Sequence, residues 1–170
     1  MKKLLTEWRQ FLKESQEFVE MDSPLTYNRA SNVKRLALRD PSIEPPYRGD
    51  FGFADQYTYR NPRTGRMTKK RHLEAPGAGE DIIGFLDYHS KGETSEGKPF
   101  LYIDYMKTRR EHKQQGVATK LLDEFIKRFA PDPGSVIHFG KIQNADMFSL
   151  YEKTKEKYPE HQIMGAKNFR

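Results

Sequence analysis

Apolar residues recur every three or four positions at the start of the chain. Leu4, Leu5, Trp8, Phe11, Leu12 and Val19 share one face of a helix predicted over 3–20. The pattern then breaks. Residues 21–50 carry Pro24, Pro41, Pro45 and Pro46, with one short apolar run, VKRLAL at 33–38, that predicts a strand. In FADQYTYRNPRTGRMTKKRHLE (53–74), two polar, aromatic-containing runs flank Asn61-Pro62-Arg63-Thr64-Gly65, the pattern of a hairpin. APGAGED (75–81) reads as a loop. The second half is more regular. IIGFLDYHS (82–90) and PFLYIDYMK (99–107) predict strands joined by a flexible turn. The second of these is dense enough in apolar and aromatic residues to be central and buried on both faces. From 114 to 129 the period becomes helical, with Val117, Leu121, Leu122, Phe125 and Phe129 on one side and Pro131 as the stop. SVIHFGKI (135–142) predicts another buried strand. Asn144 then caps a helix to about Tyr158, with Met147, Leu150, Tyr151 and Thr154 on one face, and a short strand is expected within 161–169.

This order predicts one α/β (α+β) domain over 1–170, with a mixed, largely antiparallel central sheet and helices on both faces. The strand–helix–strand unit at 99–142 requires a right-handed crossover between parallel strands. The earlier strands, joined by short turns, are expected to be antiparallel.

Composition narrows the chemistry. There is no cysteine, so disulfides, thiolate nucleophiles and Cys-based zinc sites are out. The five histidines show no metal-ligand spacing, and no metal is expected. The first residues are interrupted by Glu7, Arg9, Gln10 and Lys13 and do not form a signal peptide. No apolar run approaches a membrane span, so a soluble cytoplasmic protein is expected. A net charge of +6 attracts nucleic acid, anionic membranes and phosphorylated small molecules alike.

Chemistry concentrates in TRREHKQQGVATKLL (108–122). A buried strand ends, a basic turn follows, and Gly116 lies in the first turn of the predicted helix. The first N–H groups of a helix lack internal partners and carry partial positive charge. A glycine there lets a ligand approach the backbone. Strand, turn and helix N-terminus together suit an anion, with Arg109, Arg110 and Lys113 adding charge. The spacing is neither that of a P-loop nor GxGxxG.

Lys113-Gln114-Gln115-Gly116-Val117-Ala118 resembles the acetyl-coenzyme A signature of the GNAT N-acetyltransferase superfamily, Gln/Arg-x-x-Gly-x-Gly/Ala. Lys113 stands where the family has Gln or Arg. NADMFSLYEK resembles the family's second segment, an Asn followed by Leu-Tyr, here Asn144, Leu150 and Tyr151. The resemblance covers 82–158, the expected CoA-binding core. It leaves out the first 80 residues, where 1–50 form a divergent helix and Pro-rich segment.

The resemblance implies an N-acetyltransferase in which a primary amine attacks acetyl-CoA directly, with no covalent enzyme intermediate and no metal. It assigns the pyrophosphate to backbone N–H groups of Gln114, Gln115, Gly116, Val117, Ala118 and Thr119, with Lys113 beside them. It assigns pantetheine and the thioester carbonyl to Met106, Lys107 and Thr108, includes Asn144 among the CoA contacts, and makes Tyr151 the general acid for the leaving thiolate. Asp104 is the candidate base, because a carboxylate in an apolar strand is costly unless it is used or paired. Glu111 and His138 stand behind it. Asp104 also fits a structural carboxylate bonded to a buried Tyr or Arg, and Tyr151 a core aromatic. Two other functions stay open. One is a nucleic-acid-binding module using the basic, aromatic hairpin. The other is a CoA-binding protein without catalysis. The acceptor is not named by the sequence.

Overall fold

The computed structural model describes residues 16–23, 32–41, 56–60, 64–71, 81–109 and 112–169. Its strands are β1 (Glu17–Asp22), β2 (Lys34–Arg39), β3 (Gln56–Arg60), β4 (Met67–Arg71), β5 (Ile82–Glu93), β6 (Pro99–Thr108), β7 (Val136–Ile142) and β8 (Gln162–Lys167). Helix α1 (Val117–Phe129) joins β6 to β7, and α2 (Ala145–Lys157) joins β7 to β8. Six strands form one sheet in the order β1-β2-β5-β6-β7-β8, while β3 and β4 pair as a separate antiparallel hairpin. The pairs β1/β2, β2/β5 and β5/β6 are antiparallel, and β6/β7 and β7/β8 are parallel. The mixed sheet and the parallel crossover follow the sequence pattern.

Three expectations change. Residues 17–20 belong to β1 rather than to an N-terminal helix, and 3–15 lie outside the described residues. Glu17 to Asp22 pair with β2 along their whole length, and that tertiary pairing overrides a weak helical period. Both described helices pack on the same face of the sheet, in one core with Leu36, Leu86, Ile103, Leu121, Phe125, Ile137 and Tyr151. The other face carries a smaller cluster of Ala37, Ile82 and Phe85, flanked by Met21 and Tyr105. Finally, β6 is central but only Leu101 and Ile103 are fully buried, because its neighbour β7 leaves it half-way.

The second face holds a salt bridge the sequence did not announce. Arg35 and Asp87 are 1% and 0% exposed and meet through two bonds of 2.7 and 2.9 Å. Ser23 donates its hydroxyl hydrogen to the same carboxylate, and the Arg35 guanidinium lies 3.6 Å from the Phe85 ring centre. The carboxylate is thus satisfied on both oxygens, which is the condition for tolerating a buried charge.

Gly84 fixes the depth of α1. A Cβ there would sit 2.6 Å from Val117 Cγ1 and 3.2 Å from Leu121 Cδ1. The helix rests on bare backbone. Gly84→Val is expected to destabilise the fold by about 1–3 kcal/mol through overpacking. A lower denaturant midpoint with an unchanged slope is the expected reading, and a wild-type midpoint would refute it.

Candidate active site

Strands β6 and β7 pair only at Phe100/Val136, Leu101/Ile137 and Tyr102/His138. Beyond those residues β6 runs on to Thr108 and β7 to Ile142 without pairing to each other. Each strand carries an extra residue just past the parting. On β6 the register with β5 passes from Tyr88/Ile103 to Asp87/Tyr105, leaving Asp104 as the bulge. On β7 the register with β8 slips between His138 and Lys141. Bulges bend the strand that carries them, and here both neighbouring strands bend at one level. Gly140 sits at that level with φ 64°, and a Cβ on it would lie 2.7 Å from the Tyr102 hydroxyl. Only glycine combines that backbone angle with so close an approach.

On the helix face, α1 begins beside the open end of β6. Gly116 is its N-cap at φ 78°, just before the helix rather than inside it, and Gln114 also has positive φ. Gly116 has no side chain to cap the helix, and no acidic residue stands in the first turn. The contrast with α2 is direct. There Asn144 accepts from the Met147 N–H at 2.8 Å and Asp146 sits in the first turn. Among the described residues no side chain caps the N-terminus of α1, where Lys113, Gln114, Gln115 and Thr119 are exposed, Ala118 is half-buried and Val117 is anchored in the core. Asn144 spends its side-chain oxygen on the cap.

The remaining residues divide. Met106 packs against the main core, while Lys107 and Thr108 pair with β5 at Phe85 and Gly84. Their other side faces the parting. Arg109 is fully buried: its backbone N–H donates to the Ile83 carbonyl, and Nε donates to that of Ile82. It therefore clamps the end of β6 to β5 and is not placed to meet a phosphate. Arg110 and Glu111 lie outside the described residues. Tyr151 is 9% exposed, edge-on to Phe139 at 5.5 Å and tilted against Phe148 at 5.9 Å.

The opposite face of the parting carries a polar cluster. Asp104 Oδ2 lies 2.6 Å from His89 Nδ1, with both side chains about one-tenth exposed, at 11% and 13%. The His89 ring is 5.2 Å from that of Tyr102, which stacks on His138 at 5.0 Å. His138 Nδ1 accepts from the Gly140 N–H at 2.8 Å. Lys91 Nζ lies 5.4 Å from the Tyr102 ring centre. Burial pushes the Asp104 carboxyl above its ordinary range, and the nearby Asp87 charge adds to this. The His89 hydrogen bond and charge oppose the shift. Among the described residues the partner of Asp104 is thus His89, not the Tyr or Arg that a structural carboxylate was expected to meet. His89, Tyr102 and Gly140 join this candidate site through tertiary contacts that no local sequence motif marks. A glycine inside an apolar strand was the one available signal. Among the described residues no cluster of His, Asp and Glu suits a metal ion.

Residues 35–154 match the model of the acetyltransferase (GNAT) family. The chain belongs to this family. The matched span holds both walls of the parting, α1 and most of α2, and the protein is accordingly an acyltransferase. Among solved structures the chain is similar to a ribosomal-protein-alanine N-acetyltransferase from Brucella melitensis biovar Abortus 2308. The two share 13% identity over 81% of this chain and 89% of that one, with a TM-score of 0.42. No curated protein matches the chain. No helix among the described residues is long and apolar enough to cross a membrane.

The raised Asp104 carboxyl gives a pH prediction. Its native pKa lies above the ordinary value of 3.8, so the native state holds this proton more tightly than the unfolded chain. That contribution to stability is complete below pH 3.8 and is lost as pH rises through the native value. The stability of Asp104→Asn relative to wild type should therefore increase with pH across that window. Urea unfolding at a series of pH values checks it, and a flat or falling difference would contradict it.

Proposed function

We propose that this GNAT acyltransferase uses acetyl-CoA as donor and transfers the acetyl group to a primary amine by direct attack. The observation that carries the reading is the end of β6/β7 pairing after Tyr102/His138, with a helix N-terminus that has no side-chain cap on one face and the His89–Asp104 pair on the other. A thioester donor and an amine acceptor must meet at one carbon while approaching from different directions. An opening with an anion-attracting end on one face and a proton acceptor on the other supports that requirement.

In this reading the backbone N–H groups at 116–119, with Lys113 nearby, hold the pyrophosphate. The main chain of β6 near Met106 to Thr108 borders the pantetheine arm. The acceptor amine loses a proton on the Asp104 side and attacks the thioester carbon. The carbon–sulfur bond then breaks, and Tyr151 returns a proton to the departing thiolate. Calorimetry with acetyl-CoA and desulfo-CoA is expected to show binding below millimolar. Absence of binding by folded protein would sink the reading. In an assay against small amines, lysine and peptide N-termini, Tyr151→Phe should lower turnover by on the order of 100-fold while leaving CoA affinity nearly unchanged. Equal losses in both would make Tyr151 structural.

A second feature bears on the acceptor. From 56 to 71 the sequence has Arg60, Arg63, Arg66, Lys69, Lys70 and Arg71 and no acidic residue. The other 24 basic residues are balanced by 24 acidic ones, so this stretch carries the whole net charge of +6. Its two ends, β3 and β4, pair with each other as a separate two-stranded sheet. Such a concentration supports an anionic acceptor, with nucleic acid as the alternative partner. Fluorescence anisotropy with labelled single-stranded RNA should show binding that weakens steeply with salt. Replacing Lys69, Lys70 and Arg71 by Gln should flatten that slope. No binding at low salt would dismiss this partner.

A further inference from the structure

The sequence offers three groups as the base that deprotonates the acceptor: Asp104, Glu111 and His138. The geometry points to a fourth. We propose that the proton acceptor is Nε2 of His89 and that Asp104 is the positioning residue that orients it. The proposal rests on the amine-acetyltransferase reading above and refines which atom takes the proton.

A carboxylate has no hydrogen to give, so the 2.6 Å contact between Asp104 Oδ2 and His89 Nδ1 places the imidazole hydrogen on Nδ1. The lone pair is then on Nε2. Among the described residues Nε2 meets no hydrogen-bond partner, and it is not an enclosed atom. His138 has the opposite arrangement. Its Nδ1 accepts from the Gly140 N–H at 2.8 Å, which puts the hydrogen of the neutral ring on Nε2. His138 therefore donates outward and has no lone pair for an ammonium proton. Two histidines flank Tyr102, one stacked on it and one beside it, and only His89 is set as a base.

The bulge explains how this pair forms. Leu101 and Ile103 point into the helix-side core, so strict alternation would turn residue 105 the same way. The extra residue at 104 breaks that rhythm. Tyr102 and Asp104 lie on the second face with His89, and Tyr105 stays on that face with Phe85. The carboxylate lands beside an imidazole on β5 at the level where β7 departs. Among the described residues, the charged or titratable groups around the pair are Asp87 and Lys91 from β5, Tyr102 from β6 and His138 from β7.

The step balances as follows. His89 Nε2 takes one proton from the acceptor ammonium, leaving a neutral amine and an imidazolium stabilised by Asp104. The amine nitrogen bonds to the thioester carbon. The tetrahedral intermediate expels CoA thiolate, and the second nitrogen proton goes to sulfur by way of Tyr151. The imidazolium then returns its proton to solvent.

Two measurements decide it. Nitrogen-15 NMR of the whole wild-type protein, which needs no acceptor, should find neutral His89 protonated at Nδ1 and His138 protonated at Nε2. A His89 protonated at Nε2 overturns the proposal. For kinetics, His89→Asn keeps a donor near Asp104 but removes the basic nitrogen. It should cut kcat/KM by about 100-fold or more and abolish the acidic limb of the pH–rate profile. Asp104→Asn should keep a limb, with a lower plateau and mixed His89 tautomers. If His89→Asn retains the limb and Asp104→Asn loses it, Asp104 is itself the base and the proposal fails. Acetyl-CoA calorimetry on each variant separates the cases. If wild type binds no CoA, the underlying reading fails. If CoA binds normally and only the kinetic pattern departs, the assignment to His89 fails alone.

Discussion

Two parallel strands that separate after three residue pairs set the terms for the rest of this molecule. Backbone N–H and C=O groups in a sheet interior are costly to leave without partners. A gap inside a six-stranded sheet therefore needs a cause. Here each wall carries an extra residue at the level of parting, Asp104 on β6 and one in the Phe139–Gly140 region on β7. Each strand stays bonded to its outer neighbour, β5 or β8, and bends away from the inner one. The sheet remains continuous at the base of the opening, through Phe100 to Tyr102, and divided above it.

The helices follow from that division. Helix α1 leaves the far end of β6 and lies over β5, β6 and β2, held close by the bare backbone of Gly84. Helix α2 lies over β7 and β8 on the other side of the opening. Their N-termini are finished differently. Asn144 closes α2 as a structural element, whereas Gly116 leaves α1 uncapped next to a run of exposed polar residues. Helix termini need partners from somewhere, and a ligand can supply them where the sequence does not.

Two acidic residues on the second face show how environment separates structure from chemistry. Asp87 is fully buried and gripped by the Arg35 guanidinium through two hydrogen bonds. That pair ties β2 to β5. Asp104 is bonded instead to an imidazole, and both groups keep some exposure. A buried carboxylate locked to arginine holds strands together. A carboxylate beside histidine at an opening can direct a proton. Neither residue type nor hydropathy distinguishes them in the sequence, since both sit in apolar strands.

What the sequence by itself determined was local. Short apolar runs marked β2, β5, β6 and β7, the change to a helical period marked α1 and α2, and Asn144 marked a helix start. Those signals act within a few residues, so they survive without knowledge of the fold. The motifs at 113–118 and 144–151 were equally readable, because each is a contiguous stretch. The tertiary structure decided what depends on residues far apart in the chain. It made 17–22 a strand by pairing it with β2 and turned Arg109 inward onto the carbonyls of β5. It also placed Asp87 against a residue 52 positions away and Asp104 against one 15 positions away. The bulge at Asp104 is the sharpest case. It is a mismatch in count between two strands, and a count of that kind exists only once the strands are side by side.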